Sequence, residues 1–199
     1  MRLATLAALV LLTTAAHAQR ARPFAEKGDL ALVVGLSGET FTRLNPAFGG
    51  IGLRYRATDR TVVGASVGFQ VQSLDANDDI GETQRSVSVA LWNENHLGRR
   101  RSLVSPFVGA GATFRASRLR QERGPESFSS TDVAVGAGAL FGAEVKLARG
   151  VTLGAAYTLG VEVTARSFDA TPDPGQVPDD QSVVRVGTGV TDLHLSVYF

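Results

Sequence analysis

The chain has 199 residues, 20 basic against 19 acidic side chains, a formal net charge of +1 and no cysteine. Without a basic excess it has no electrostatic footprint for nucleic acid, and without thiols it can form neither a disulfide framework nor a thiolate metal site. Only Lys27 and Lys146 are lysine, so 18 of the 20 basic residues are arginine, and 22 residues are glycine; arginine pairs bidentately with carboxylates in confined spaces, and glycine makes room for it.

The chain opens with Arg2, an apolar run from Leu3 to Leu12, and Ala16-His17-Ala18 before Gln19. This is the three-part layout of a secretory signal peptide, and the run is too short for a bilayer span of about 20 apolar residues. The expected organisation is a signal peptide over residues 1–18 and one domain over residues 19–199. Beyond residue 18 no uncharged apolar stretch approaches spanning length, so any membrane span has to be made of strands.

The period-two template predicts eight strands, over residues 28–40, 47–58, 60–74, 83–94, 102–117, 131–147, 150–166 and 183–199. In the first, Leu30, Leu32, Val34 and Leu36 share a face; in the second, Ile51, Leu53 and Tyr55 stand opposite Gly52, Arg54 and Arg56. The seventh alternates most regularly, with Val151, Leu153, Ala155, Tyr157, Leu159, Val161 and Val163 facing away from Thr152, Gly154, Thr158, Gly160 and Glu162. One face is apolar, and the other is small or polar with an occasional charge. A half-buried soluble sheet would carry Lys, Glu and Thr on its wet face, whereas Gly, Ala and Ser suit the crowded interior of a small closed barrel with lipid outside.

Connections alternate in length. Thr58-Asp59-Arg60, residues 95–101 and Ala148-Arg149-Gly150 read as short periplasmic turns, while L-D-A-N-D-D-I-G-E-T, the R-Q-E-R-G-P-E-S stretch and S-F-D-A-T-P-D-P-G-Q-V-P-D-D-Q-S read as longer outer loops. In the last strand Val184, Val186 and Val190 are out of phase with Leu193, Leu195, Val197 and Phe199, which predicts a bulge near Thr191.

The signal peptide, eight strands, short-long alternation and final strand T-D-L-H-L-S-V-Y-F together resemble the small OmpA/OmpX-type outer-membrane β-barrel superfamily. The resemblance implies an all-β fold, an eight-stranded antiparallel up-and-down transmembrane β-barrel in the bacterial outer membrane. It also implies that Leu193, Leu195, Val197 and Phe199 form the assembly signal read by the barrel-assembly machinery, and that lipid and lipopolysaccharide surround the protein. No peptidoglycan-binding domain is expected after the barrel, so the anchoring role of OmpA itself is not carried over.

Four groups of residues are candidates for function. Arg54, Arg56, Arg115, Glu144, Lys146, Glu162, Arg166, Asp192 and His194 fall on the inward face, where buried charges have to pair, and are expected to form a polar network filling the lumen. His194 and Ser196 share a face at the spacing used by outer-membrane lipid A deacylases, but near the periplasmic end and away from the lipid side. Two acidic stretches, Asp75, Asp78, Asp79 and Glu82, and Asp169, Asp173, Asp179 and Asp180, offer oxygens to a divalent cation; Ile80 and Ser86 stand where a calcium loop needs glycine and glutamate, so solvated loop charge is expected and no metal. Tyr55, Trp92, Phe107, Tyr198 and Phe199 are expected near the inner membrane boundary and Phe41, Phe48, Phe114 and Phe128 near the outer one, as aromatic girdles, although Trp92 reads inward by phase.

The expected function is therefore that of an integral outer-membrane protein with a structural or surface-interaction role, needing no cofactor, with outer loops that meet an unspecified ligand. A small channel or hydrophobic-ligand conduit is the alternative. An enzyme acting on lipid A or phospholipid, resting on His194 and Ser196, ranks last.

Overall fold

The computed structural model describes residues 26–36, 50–77, 80–98, 102–123, 126–171, 180–188 and 192–199. The expected signal peptide lies outside these residues. Among the described residues there is no helix, and the strands are β1 (Leu30–Leu36), β2 (Gly50–Arg56), β3 (Thr61–Asn77), β4 (Ile80–His96), β5 (Val104–Arg123), β6 (Glu126–Ala148), β7 (Val151–Thr171), β8 (Gln181–Thr188) and β9 (Asp192–Tyr198).

Every neighbouring pair is antiparallel and consecutive in the chain until the ring closes. β9 pairs with β1, from Ala31↔Tyr198 to Leu36↔Leu193, and with β7, from Val151↔Val197 to Ala156↔Asp192. β8 pairs with the outer part of β7, from Leu159↔Thr188 to Arg166↔Gln181. β8 and β9 are thus two segments of one eighth stave. Between them the chain advances four residues, 188 to 192, while β7 advances three, 159 to 156. That one-residue mismatch changes the phase between the two segments, outward positions being even-numbered in β8 and odd-numbered in β9; the bulge expected near Thr191 lies outside the described residues.

The ring leaves no free edge at the level of β9, which is what a strand-built membrane span requires, because lipid offers no partner to an unpaired N–H or C=O. The turns at the end carrying both described termini are short. In the β2–β3 turn Thr58 Oγ1 accepts from the backbone N–H of Thr61 at 2.9 Å and of Arg60 at 3.2 Å, a hydroxyl turn. β6 and β7 meet through Arg149 and Gly150, whose φ of 71° lies in the left-handed region that favours glycine.

Alternation sorts the side chains as expected. Ile51, Leu53, Tyr55, Val67, Phe69, Leu91, Phe114, Val135, Phe141, Tyr157, Leu159 and Val161 point outward and are exposed, so the apolar face is the outer one. On β5 the outward positions from Val104 to Ala116 are all apolar. Twelve steps at about 3.3 Å and a tilt of about 40° give a band about 30 Å high, close to that of outer-membrane barrels.

The strands at the opposite end run further than expected. β3 continues to Asn77 and β4 begins at Ile80, β5 reaches Arg123 and β6 begins at Glu126, and β7 reaches Thr171. Most of L-D-A-N-D-D-I-G-E-T and R-Q-E-R-G-P-E-S, expected as loop, is therefore strand. The outward apolar face ends on β5 at Ala116, but the backbone ladder does not depend on it and continues to Arg123.

Candidate functional site

Large side chains on the inner face stand across from small ones, and this sets what the lumen can hold. Trp92 lies between Gly64 on β3 and Gly111 on β5, Phe107 across from Gly142, and His194 between Gly154 on β7 and Gly35 on β1. A Cβ at position 64 would collide with Trp92, one at 142 with Phe107, and one at 154 with the His194 ring. Cross-strand glycines are therefore the seats of the inward rings. Trp92, Phe107, Leu140, Ala90 and Ala156 form an apolar cluster inside the ring.

Beside that cluster sits a fully buried charge network. Arg54, 0% exposed, hydrogen-bonds through Nη1 to Ser196 Oγ at 2.9 Å, and through Nη2 to Glu94 Oε2 and to Glu144 Oε2, the latter at 3.2 Å. Trp92 Nε1 donates to Glu94 Oε1 at 2.8 Å. His96 Nε2 lies 3.2 Å from Glu94 Oε2 and 3.5 Å from Glu144 Oε2, and its Nδ1 is hydrogen-bonded to Ser105 Oγ at 3.0 Å. The guanidiniums of Arg54 and Arg56 lie over the ring of Tyr198, at 6.0 and 5.9 Å from its centroid.

Two looser tiers follow toward the outer end. Arg115 Nη2 contacts both oxygens of Glu162, at 3.0 and 3.1 Å, and Thr164 Oγ1 donates to Oε1 at 3.3 Å, while Arg185 Nη1 stands 3.9 Å away as a looser ion pair. Beyond it Arg166 makes a bidentate pair with Asp132, at 2.6 and 2.7 Å. Side-chain exposure of the arginine rises from 0% at Arg54 to 27% at Arg115 and 32% at Arg166. The lumen is thus most tightly packed at the end of the short turns and loosens toward the β3–β4 and β5–β6 hairpins.

The expected inward set is thus split among tiers: Arg54, Glu144 and His194 are buried together at the tightly packed end, Arg115 pairs with Glu162, and Arg166 pairs with Asp132. Arg56 lies at the short-turn end, bonded through Nη1 to Asp59 O at 3.1 Å. Lys146 faces inward on β6 and is partly buried. Asp192 opens β9 across from Ala156. Glu94, His96, Ser105 and Asp132 were not expected, although Glu94 and His96 share Trp92's parity, which already pointed inward.

Other expectations are corrected. Phe107 and Tyr198 are buried inside the ring and not in a lipid-facing girdle, because their parity places them opposite the lipid face and Gly142 and Ala31 leave them room. Phe128 shares the inner face of the outer mouth with Phe168, at 5.9 Å between ring centroids. Tyr55, Phe114 and Phe199 do face outward, while Phe41 and Phe48 lie outside the described residues. In the terminal strand Leu193 and Phe199 are exposed, Leu195 is half-buried and Val197 is buried.

His194 and Ser196 are both wholly buried, and the Ser196 hydroxyl accepts the Arg54 bond. Of the acidic stretches, Asp75 sits in β3 across from Gly81, Glu82 accepts from Gln121 Nε2 at 3.0 Å, and Asp169 and Asp180 are exposed; Asp78, Asp79, Asp173 and Asp179 lie outside the described residues. Among the described residues the group whose side chains could share a metal ion is Glu94, His96 and Glu144, with ligand atoms within 4.8 Å of one another. The same carboxylate oxygens are already held by the Arg54 guanidinium, so the site has its cation within the protein.

The sequence profile described as outer membrane protein beta-barrel domain matches residues 4–191. No protein of curated function matches the chain. Among solved structures it is similar to a major outer membrane protein from Thermus thermophilus, with 13% identity, a TM-score of 0.47 and coverage of 86% of this chain and 99% of that one. It is also similar to Ail, the attachment invasion locus protein of Yersinia pestis, with 16% identity, a TM-score of 0.40 and coverage of 87% and 99%.

Proposed function

The chain belongs to the outer membrane protein beta-barrel domain family, and we propose that this integral outer-membrane barrel is plugged and works through its outer surface, in a structural or surface-interaction role. The observation that carries the reading is the packing at the short-turn end, where Arg54, Glu94, Glu144, His96 and Ser196 interlock beside Trp92, Phe107 and Leu140, all of them buried. Eight staves enclose an interior that side chains can fill, and here they fill it with groups that hold one another. The hairpins β3–β4 and β5–β6, by contrast, carry their ladders past the apolar band into the medium.

Planar-bilayer recording tests this. The refolded protein is expected to stay silent at high salt, while the combined variant Arg54→Ala, Glu94→Ala, Glu144→Ala conducts. Steady conductance by the unaltered protein would favour the channel reading instead. Shortening the β5–β6 hairpin beyond Ala116 is expected to leave insertion intact and to change surface binding or envelope integrity.

A hydrolytic role for His194 and Ser196 is the weaker reading, because the serine oxygen is bonded to a guanidinium inside the ring, away from lipid. Expression is expected to leave lipid A acyl composition unchanged by mass spectrometry. The exposed Phe199 and Leu193 are in keeping with recognition of the terminal strand by the assembly machinery through strand pairing.

A further inference from the structure

We propose that Arg85, Arg118 and Arg120 form a site on the lipid-facing wall for a phosphate monoester carried by an outer-leaflet lipid headgroup. The outward row Phe69, Val87, Ala116, Val133 is joined by direct cross-strand pairing and is apolar throughout. The next outward row toward the medium is Val71, Arg85, Arg118, Thr131. Arg120 follows, directly across from Thr83. The arginines therefore sit at the first level above the hydrocarbon, where outward charge costs little and where lipid phosphates lie.

Their arrangement needs an anion. Arg85 and Arg118 are directly opposite each other on neighbouring strands, a like-charge juxtaposition that destabilises a sheet. Both are exposed, and among the described residues neither has a carboxylate partner. They face outward, so the lumenal carboxylates that satisfy Arg54, Arg115 and Arg166 are out of reach across the wall. Thr83, Arg85, Arg118, Arg120 and Glu122 line a concavity of about 310 Å³. The one carboxylate there, Glu122, is engaged by Arg120 Nε at 2.8 Å. Guanidinium forks match phosphate oxygens bidentately, and the Thr83 hydroxyl adds a donor.

The same chemistry could be met by soluble phosphate; the position bordering the apolar band selects the lipid, whose acyl chains would lie along Val87 and Ala116. The proposal rests on the outer-membrane placement described above. The test compares the refolded protein with the double variant Arg85→Gln, Arg118→Gln in phosphatidylcholine vesicles containing lipopolysaccharide, or the same lipopolysaccharide with its lipid A phosphates removed. Lipopolysaccharide retained per barrel is measured after detergent extraction. Heat-modifiable migration is scored on every sample, so a barrel that does not fold or insert is told apart from one that inserts without binding.

An arginine near an anionic surface contributes about fivefold in affinity, so the double variant should bind about 30-fold more weakly. The unaltered protein should bind the dephosphorylated lipid as weakly as the variant binds the native one. Equal retention by the two proteins, or equal retention of the two lipids, overturns the site. Full displacement of lipopolysaccharide by millimolar inorganic phosphate overturns the lipid as occupant in favour of the free anion.

Discussion

Replacing Arg54 with methionine isolates the plug, because methionine keeps much of the volume and removes the charge and the donors. Arg54 holds two carboxylates that are themselves buried, Glu94 at 0% and Glu144 at 3% exposure. After the change Glu94 keeps its bonds from Trp92 at 2.8 Å and with His96 at 3.2 Å, and Glu144 keeps the longer approach of His96 at 3.5 Å but loses its guanidinium. Two anions would then share a closed space with the imidazoles of His96 and His194 and no guanidinium. Breaking a buried pair by removing one partner costs about 3–5 kcal/mol, a factor of about 150 to 5,000 in the folding equilibrium. The triple variant Arg54→Met, Glu94→Gln, Glu144→Gln removes the anions as well and should recover most of that loss, since replacing a whole buried ion cluster is often close to neutral. The assay is urea titration of folding into lipid vesicles, followed by gel mobility and by fluorescence of Trp92, the single tryptophan of the chain, which reports on the cluster through its bond to Glu94. A loss below about 1 kcal/mol for Arg54→Met, the value of an exposed pair, would refute the reasoning. So would a triple variant no more stable than the single one.

Gly64→Ala should cost about 1–3 kcal/mol by pushing Trp92 off its seat, with a change in its near-ultraviolet circular dichroism, whereas Gly28→Ala, where a Cβ meets nothing within 4 Å but the backbone φ of 94° is strained for alanine, should lower stability without changing that spectrum. Asp132→Asn should lower the stability read from urea titration by no more than about 1 kcal/mol, because this pair is 21% and 32% exposed. Phe199→Ala should leave the stability of refolded protein within about 0.5 kcal/mol, since the ring is 65% exposed, yet lower the heat-modifiable fraction assembled in cells; equal assembly would argue against the terminal strand as a recognition signal.

The staves were legible because lipid and lumen make opposite demands on successive residues: Ile51, Leu53 and Tyr55 against Gly52 and Arg54 is a pattern with one physical solution. The stretch Trp92-Asn93-Glu94-Asn95-His96 hid half of the plug because Asn93 and Asn95 deny it an apolar face. Asn93 Oδ1 is occupied by the Ala110 N–H at 2.9 Å, a contact that no periodicity announces. Carrying the phase of Val87, Val89 and Leu91 onward would have put Glu94 and His96 inside. Phe107 and Tyr198 were misplaced for a different reason, since residue type suggested a girdle while parity, and the small residues opposite them, required the lumen. Strand ends were illegible where the apolar face stops, because the outward positions Arg118, Arg120 and Glu122 carry no hydrophobic signal although residues 118–123 keep their register with residues 80–85.

Parity also divides the arginines between two tasks. Arg54, Arg115 and Arg166 point inward to carboxylates, while Arg85 and Arg118 point outward at the border. A one-residue slip of any stave would exchange the faces of all its side chains. A slip of β2 would turn Arg54 to the hydrocarbon, where a charge costs about 2–4 kcal/mol near midplane and less toward the border, and would strand Glu94 and Glu144 without their cation. A slip of β5 would turn Phe114 and Arg118 inward and send Arg115 to the lipid. Each error costs on both walls at once, so the charges that close the lumen also fix the register of the ring. The change of phase between β8 and β9 puts Leu193 on the lipid face and His194 in the lumen, and the last stave closes on β1 with every earlier pairing intact.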